Sequence, residues 1–257
     1  YPRPMGATAT KSGLILPASF LSLPLIAFIS FNALALVINE DDSIAVNADA
    51  ANILPKYKEL VDAFGMISMG CTATHIGDGY VLTAGHCFDQ IKGQEPVARN
   101  LACADVSIEW GVRGELAPYL KSSCQKIVAG HWANNSDFAV LKVSPIPRAA
   151  VGVDLTRRAR LHDVVTIFSH PVELPLHWSN TCEVVFEKKP NLPSEATLMH
   201  RCDTRTGSSG AAIINASTNK VVAIHAFGTS YTEEDDINFG TYITNPEIAN
   251  VLKEMLP

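Results

Sequence analysis

From residue 65 onward the sequence consists of short apolar runs separated by turn residues. The runs are GMISM, YVLTA, VSIEW, QKIVA, FAVLKV, VVTIFS, CEVVFE, AAIINA and VVAIHAFG. Runs this short that are rich in Val, Ile and aromatic residues indicate strands rather than helices. Turn sequences such as GDG, NLPS and NASTNK separate them at close intervals, which is typical of a β-sandwich or a pair of β-barrels. We therefore predict an all-β fold.

Two segments depart from this pattern. Ser144 to Ala150 reads SPIPRAA and carries prolines between two strand clusters, so we predict a linker there. Near the end of the chain, Asn245 is an N-cap residue, Pro246 suits the first helical position, and the apolar residues that follow have helical spacing. The sequence thus predicts one C-terminal α-helix on a β body.

The composition excludes one large class of partner. The 257-residue chain has 20 Lys and Arg against 26 Asp and Glu, a net charge of −6, and no run of basic residues. A nucleic-acid-binding protein needs a basic patch to hold phosphates, so we expect no nucleic-acid partner. With 47% hydrophobic and 18% charged residues, the chain has the composition of a globular protein.

The N-terminal region has the features of an export signal. No charged residue occurs from position 12 to position 39, and basic residues precede this run. Small residues spaced as Ala-x-Ala, at Ala33 and Ala35, are the usual cleavage signature. We expect residues 1–35 to be a signal peptide and the mature protein to be secreted or periplasmic, without stable membrane association. The alternative is an uncleaved membrane anchor, because the run is long enough to span a bilayer.

The cysteines also fit export, because their even number, six, is typical of disulfide-bonded proteins of oxidising compartments. Their spacings are unlike those of a zinc site. Paired in chain order they predict the disulfides Cys71–Cys87, Cys103–Cys124 and Cys182–Cys202. Other connectivities remain possible from sequence alone.

Three short segments carry the residue types of a catalytic site. TGSSGAA places two serines between two glycines. YVLTAGHCF places His86 at the end of a predicted strand, and NNSDFAVLKV places Asp137 at the start of another. Each segment alone is typical of a turn or a structural residue. A serine becomes a nucleophile when a base accepts its proton and a third group orients that base, and the three segments together supply these groups.

In their order and context these segments resemble the chymotrypsin-like serine proteases. LTAGHC resembles the family's histidine motif, SDFAVLKV its aspartate strand and TGSSGAA its Gly-x-Ser-Gly loop, and the resemblance covers nearly all of residues 66 to 245. It implies two antiparallel six-stranded Greek-key β-barrels with the active site in the cleft between them. An N-terminal strand and the first barrel would occupy residues 36–145, and the second barrel with the C-terminal helix residues 146–257.

The resemblance also implies a role for each residue of the site. Ser209 is the nucleophile, because Gly207 and Gly210 stand where the family's glycines do. His86 takes the serine proton, and Asp137 orients the imidazole and stabilises its charged form. The backbone N–H groups of Gly207 and Ser209 form the oxyanion hole.

One residue departs from the digestive members of the family. They carry an aspartate before the nucleophile, which pairs with a newly cut N-terminus, whereas this chain has Ser208. Activation through that salt bridge is therefore not expected. Among the bacterial secreted branches that also lack it, the chain is most similar to the glutamyl endopeptidases. The segment Val37 to Ser43, VINEDDS, resembles their mature amino terminus.

The resemblance leaves the primary specificity open. His225 and Thr204 stand where glutamyl endopeptidases place the residues that bind a substrate carboxylate, which implies cleavage after acidic residues. Asp203 stands where trypsin-like members have the acidic floor of their pocket, which implies cleavage after Lys or Arg. An aspartate in an exposed turn is a further interpretation of Asp203.

An edge strand is expected to hold the substrate backbone. Ala226, Phe227 and Gly228 would form the edge on which an extended substrate adds its own strand, with Gly228 leaving the pocket mouth open to a large side chain. The remaining histidines show no zinc-ligand spacing and are expected to be surface or core residues. They stand at positions 75, 131, 162, 170, 177 and 200.

These features predict a secreted, monomeric serine endopeptidase that acts on protein or peptide substrates without a cofactor or metal. The alternative from another class is a catalytically silent binding module of the same fold. All the triad residue types and the oxyanion glycine, Gly207, are retained, which favours the enzyme.

Overall fold

The computed structural model describes residues 35–133, 136–186, 197–229 and 236–256. Strands dominate the regular structure of these residues, as the sequence predicted. The expected signal peptide or anchor, residues 1–35, lies outside the described residues except for Ala35. Within the described ranges, no helix is long and apolar enough to span a membrane.

A two-residue strand, β1 (Ile44–Ala45), precedes the first barrel. The first barrel then contains β2 (Phe64–Ile67), β3 (Thr72–Gly77), β4 (Tyr80–Thr83), β5 (Ala98–Leu101), β6 (Ser107–Trp110), β7 (Leu120–Ala133) and β8 (Ser136–Ser144). All its pairings are antiparallel. Six strands form a ring in the order β7-β6-β2-β3-β4-β8, which the pairing of β7 with β8 closes, and β5 adds to β7.

The second barrel contains β9 (Val164–Ser169), β10 (His177–Val185), β11 (Thr197–His200), β12 (Ala212–Asn215), β13 (Lys220–Thr229) and β14 (Ile237–Tyr242). Its antiparallel ring has the order β10-β11-β14-β13-β12-β9, and the pairing of β9 with β10 closes it. The predicted pair of six-stranded antiparallel barrels is therefore confirmed.

The short strand β1 pairs with the second barrel, although it precedes the first in the chain. Ile44 pairs with Trp178 and Ala45 with His177, both on β10. The sequence had grouped an N-terminal strand with the first barrel, and the hydrogen bonds of β1 do not follow that grouping. The boundary between residues 36–145 and 146–257 itself stays a prediction.

Aromatic rings join the two barrels. Phe64 on β2 stacks on Phe168 of β9 with ring centroids 4.9 Å apart, and Phe168 stacks on Trp178 at 6.1 Å. Phe64 and Phe168 are fully buried, and full burial of such a side chain stabilises a fold by roughly 1.5–3 kcal/mol. The largest hydrophobic cluster draws residues from both barrels, so it fixes their junction, where the site residues meet.

The predicted C-terminal helix is present as α1 (Pro246–Met255). The side chain of Asn245 accepts a hydrogen bond from the N–H of Glu247, as its N-cap position predicts. Ile248, Val251 and Leu252 form the buried face of the helix. Short 3₁₀ segments occur at Pro55–Ala63, Gly85–Cys87, Asp89–Ile91 and Pro171–Glu173.

Three disulfides link segments within the barrels, two in the first barrel and one in the second. The bonded pairs are Cys71–Cys87, Cys103–Cys124 and Cys182–Cys202, the same pairs that chain order predicted. The first pair joins the start of β3 to the 3₁₀ turn that carries His86, so it ties the histidine to the barrel wall.

Candidate active site

His86 and Asp137 lie side by side at the edge of the first barrel. His86 is on the 3₁₀ turn after β4, and Asp137 is the second residue of β8. The His86 Nδ1–H donates to Asp137 Oδ2 over 2.6 Å, and the His86 backbone N–H donates to Oδ1 over 2.9 Å. Both carboxylate oxygens of Asp137 therefore bind His86. The Asp137 N–H in turn donates to the hydroxyl of Thr241 on β14, which couples the pair to the second barrel.

The pair also sets the protonation of the histidine. Burial alone would lower the pKa of His86, but the hydrogen bond and the charge of Asp137 raise it above its ordinary value of 6.5. Because Nδ1 carries the proton that Asp137 accepts, Nε2 of the neutral ring is left as a proton acceptor. The pair thus has the chemistry of a general base with a carboxylate that orients it.

Two glycines shape the loop that carries Ser209. Gly207 and Gly210 adopt φ values of 95° and 85°, in the left-handed region that favours glycine. A Cβ atom on Gly210 would lie 2.1 Å from the hydroxyl of Thr83 and 2.7 Å from the N–H nitrogen of Ala84. Only glycine allows this contact, which brings Ser209 of the second barrel against the first.

The Ser209 hydroxyl lies 3.5 Å from the carbonyl oxygen of Ala226 and is mostly buried. No hydrogen bond joins it to His86 in the described part of the chain. Catalytic hydrogen bonds are often long in a free enzyme and tighten when substrate binds. The loop that carries Ser209 therefore lies against the end of β4, next to the turn that carries His86, and the histidine–aspartate contact is formed.

Two backbone donors flank the serine. Among the described residues, neither the N–H of Gly207 nor that of Ser209 donates to a protein acceptor. The carbonyl of Gly207 is held by the hydroxyl of Thr72 at 2.8 Å, which fixes the neighbouring peptide planes. A Cβ atom on Gly207 would lie 2.6 Å from the carbonyl oxygen of His170. Both N–H groups are available to stabilise an oxyanion beside Ser209.

The sequence matches the model of a known protein family. Residues 71–224 match the family model of the trypsin-like peptidase domain. The chain belongs to the trypsin-like peptidase family. Membership makes it a serine endopeptidase, a hydrolase that acts on protein or peptide substrates. No curated protein sequence matches the chain significantly.

Solved structures share the fold of the peptidase at low sequence identity. A Glu endopeptidase in complex with MPD is 20% identical, with a TM-score of 0.59 over 86% of this chain and 100% of its own. The protein Rv3671c from M. tuberculosis H37Rv, in its inactive form, is 16% identical, with a TM-score of 0.53 over 79% of this chain and 92% of its own.

The residue before Ser209 is buried in the peptidase. Ser208 is fully buried, and its hydroxyl lies 3.0 Å from that of Ser169 and accepts from the N–H of Arg205 at 3.2 Å. Neutral hydroxyl contacts thus stand where the digestive relatives have a charged aspartate. Sequence reasoning did not find Ser169, because it lies 39 residues away on β9.

His225 lies beside a second histidine that sequence reasoning had not assigned to the site. Both His225 and His200 are fully buried. The Cys202 N–H donates to His200 Nδ1, so the proton of His200 is on Nε2, which lies 3.2 Å from His225 Nδ1. His200 therefore donates to His225, whose own proton is on Nε2. That Nε2 is buried and has no well-formed hydrogen bond in the described structure.

Both buried histidines are neutral. Burial lowers the pKa of His225 to about 3, the charge of His86 adds to the shift and the Phe239 backbone opposes it. Burial, followed by the charge of His225, holds the pKa of His200 well below 6.5. The N–H of Gly210 donates to the carbonyl of His225 at 2.9 Å, so His225 lies beside the loop that carries Ser209.

Asp203 is buried rather than exposed, and its carboxylate is already occupied. Oδ1 accepts from the N–H of Ile38 at 2.7 Å, and Oδ2 accepts from the N–H of Asp42 at 2.8 Å. Asp203 thus clamps the segment before β1 against the second barrel. The interpretation of Asp203 as part of an exposed turn is wrong.

Thr204 also contacts the N-terminal segment. Its N–H donates to the carbonyl of Leu36 at 2.9 Å, and its hydroxyl lies 3.4 Å from the same oxygen. The side-chain amide of Asn238 exchanges hydrogen bonds with the backbone of Leu36 at 2.8 and 3.1 Å. Leu36 therefore lies against one of the two residues expected to bind a substrate carboxylate.

The predicted edge residues follow His225 on β13. His225 makes the last backbone hydrogen bonds of β13 on the β12 side, with Gly210 and Ala211; beyond it β13 is paired only with β14, so one edge is open among the described residues. The ladder is irregular at Ala226, which directs its carbonyl to Ser209. Phe227 stacks on Phe239 with ring centroids 4.9 Å apart, and Gly228 pairs with Asn238.

Two groups of cysteine and histidine side chains are close enough together to suggest a metal site. In the described ranges these are Cys71, His86 and Cys87, and Cys182, His200 and Cys202. The two cysteines of each group form a disulfide, so neither group offers a thiolate.

Proposed function

We propose that the peptidase is an exported enzyme that cleaves peptide bonds through Ser209, His86 and Asp137. One observation carries this proposal: both oxygens of Asp137 bind His86, which leaves the other ring nitrogen as a base, and the loop that carries Ser209 lies against the residues just before His86. Three disulfides fit an oxidising compartment and support export.

The reaction follows from these positions. Ser209 Oγ attacks the substrate carbonyl carbon while His86 Nε2 accepts the hydroxyl proton, and the carbonyl oxygen becomes an oxyanion. The imidazolium gives that proton to the leaving amine as the C–N bond breaks, which leaves an acyl group on Ser209. Water then attacks the acyl group with His86 as base, the acid product leaves, and Ser209 regains its proton.

The charges that form are met by groups already in place. Asp137 stabilises the imidazolium, which is the physical meaning of the raised pKa of His86. The N–H groups of Gly207 and Ser209 stabilise the oxyanion, and one such donor typically lowers a barrier by about 3 kcal/mol.

We further propose cleavage after acidic residues. The buried Nε2–H of His225 has no well-formed hydrogen bond among the described residues, its backbone lies beside the loop that carries Ser209, and His200 fixes its tautomer. A buried polar group without a partner is costly, so a substrate carboxylate that accepts this bond gains affinity. Likeness in fold to a Glu endopeptidase supports the same preference.

The alternative preference for Lys or Arg has less support from the geometry. It requires Asp203 to face a substrate cation, yet both its oxygens accept from backbone N–H groups. Binding a cation there would require the segment from Ile38 to Asp42 to move away. The silent binding module remains the alternative if no cleavage is observed.

A digest of proteome-derived peptides, analysed by mass spectrometry, tests the whole proposal. We expect the exported protein to cleave predominantly after Glu, and a matched Ser209→Ala protein to leave the same peptides intact. Cleavage after Lys or Arg would contradict the acidic pocket but keep the triad. Intact peptides with both proteins would contradict the enzyme and favour the binding module.

A further inference from the structure

A small cavity lies outside the site described above. It has a volume of about 140 Å³ and lies between the end of β2 and the 3₁₀ segment Pro171–Glu173. Its lining includes Ile67, Ser68, Ser107, Glu109, Lys121 and Glu173. Sites for whole small molecules are typically at least about 300 Å³, so a cavity of this size suits one side chain.

The cavity is connected to the nucleophile by a short series of contacts. The N–H of Thr72 donates to the carbonyl of Ser209 at 2.9 Å, and the N–H of Ile67 donates to the carbonyl of Cys71 at 2.8 Å. On the other wall, the N–H of Val172 donates to the carbonyl of Thr206. Both walls of the cavity are therefore anchored beside the loop that carries Ser209.

The cavity lies on the side where the leaving amine departs. In the proposed reaction the acyl part of the substrate lies along the open edge of β13, next to Ala226, so the residues after the cleaved bond run the opposite way. On that side His86 is followed by Cys87, whose disulfide partner Cys71 directly follows Gly70. An extended peptide advances about 3.3 Å per residue. We therefore expect the first residue after the bond to pass the disulfide and the second to reach Gly70 and the cavity.

The free charge in the cavity is negative. Glu109 binds Lys121 at 3.0 Å, so their charges offset each other. Among the described residues, no cation pairs with Glu173. A Cβ atom on Gly70 would lie 3.3 Å from Glu173 Oε1, so the missing side chain at position 70 leaves this carboxylate open to a substrate.

The backbone fixes the position of that carboxylate. Val172 and Glu173 adopt φ values of 46° and 61°, which side chains rarely accept. The N–H of Leu174 closes the turn on the carbonyl of Pro171 at 2.8 Å. The wall beside the acid is apolar at Ile67. A side chain with an apolar stem and a positive end complements this combination.

We propose that Glu173 selects substrates with Lys or Arg as the second residue after the cleaved bond. This inference rests on the proposed catalytic function, because the direction of the substrate follows from Ser209 and His86. It adds a specificity determinant on the leaving-group side, independent of the pocket at His225.

The test compares peptides that differ only at the second residue after the cleaved bond, which is Lys, Ala or Glu. Exposed ion pairs are weak, so we expect kcat/KM for Lys to exceed that for Ala by roughly two- to fivefold, with Glu slowest. Glu173→Gln should remove the difference, and Glu173→Lys should reverse it. Added salt should reduce the preference of the unmodified protein, because it screens exposed charges.

Two controls separate this inference from the proposed function. Glu115→Gln removes another exposed carboxylate and should leave the preference unchanged. An ester substrate that ends at the cleaved bond measures the triad alone and should respond equally little to all three variants. Equal rates for the three peptides, with normal ester hydrolysis, would overturn the role of Glu173. If the ester is not hydrolysed, anisotropy of the same labelled peptides on the Ser209→Ala protein decides: tighter binding of the Lys peptide supports it, and equal binding refutes it.

Discussion

The peptidase contains two histidine pairs that differ in burial and in the partner of the ring. His86 binds the carboxylate of Asp137, and its pKa is raised. His225 binds the neutral ring of His200, and its pKa falls to about 3. In the proposed reaction His86 gains a proton, whereas His225 remains neutral.

Solvent exposure and partner charge together produce this difference. The side chain of His86 is 16% exposed, whereas His225 is fully buried. Burial disfavours the charged form of both rings, and only Asp137 supplies an opposing negative charge. The ring proposed as the base is thus distinguished by its carboxylate partner, and the ring proposed to bind substrate by a donor held in one tautomer.

Removing the catalytic ring should have the largest effect. We expect His86→Ala to lower kcat by about 10⁶-fold for every substrate, because no group remains to accept the serine proton. Steady-state assays with an acidic and a small apolar substrate measure this loss. A loss confined to the acidic substrate would contradict the role of His86 as the base, since it would place His86 in the binding pocket.

Removing only the carboxylate should have a smaller effect and change the pH dependence. We expect Asp137→Asn to lower kcat about 10⁴-fold, because the ring loses the group that fixes its tautomer. In the unmodified protein kcat/KM should fall as the pH drops through a pKa above 6.5, where His86 becomes protonated and can no longer act as base.

The raised pKa of His86 also makes the stability of the fold depend on pH. Because the folded pKa of His86 is raised, its pair with Asp137 stabilises the folded chain below pH 6.5, and this contribution disappears as the pH rises through the folded value. In Asp137→Asn the acid limb should move to lower pH. An unchanged acid limb would show that another group titrates there.

The two pairs also differ in how far the sequence predicted them. LTAGHC and SDFAVLKV each carry a local motif, so His86 and Asp137 could be proposed together from sequence. The partner of His225 could not, because His200 lies on β11, and only the order β11-β14-β13 brings the two rings together. The β11 sequence, TLMH, is short and ends in a buried histidine, so it lacks the alternation of apolar and polar residues that would predict a strand.

Backbone contacts between residues far apart in the chain could not be predicted from the sequence either. Asp203 stands where a specificity residue is found in relatives, and nothing local shows that the N–H of Ile38, 165 residues away, occupies its carboxylate. The strand β14 was also missed, because INFGTY contains Asn238, Gly240 and Thr241, although all of them are buried. Periodicity predicts strands with apolar faces and fails where buried polar groups are satisfied by distant partners.

The smallest effect is expected at the binding pair, and it should be selective. His225→Ala removes the donor proposed for the substrate carboxylate, and leaving a buried charge without its partner costs roughly 2–5 kcal/mol. We therefore expect kcat/KM for Glu substrates to fall at least about tenfold, while a small apolar substrate is hardly affected. His225→Gln keeps a side-chain N–H donor and should recover part of the loss. Equal losses on both substrates, or no recovery with Gln, would mean that His225 supports the barrel rather than the substrate, and the contrast between the two histidine pairs would then be structural only.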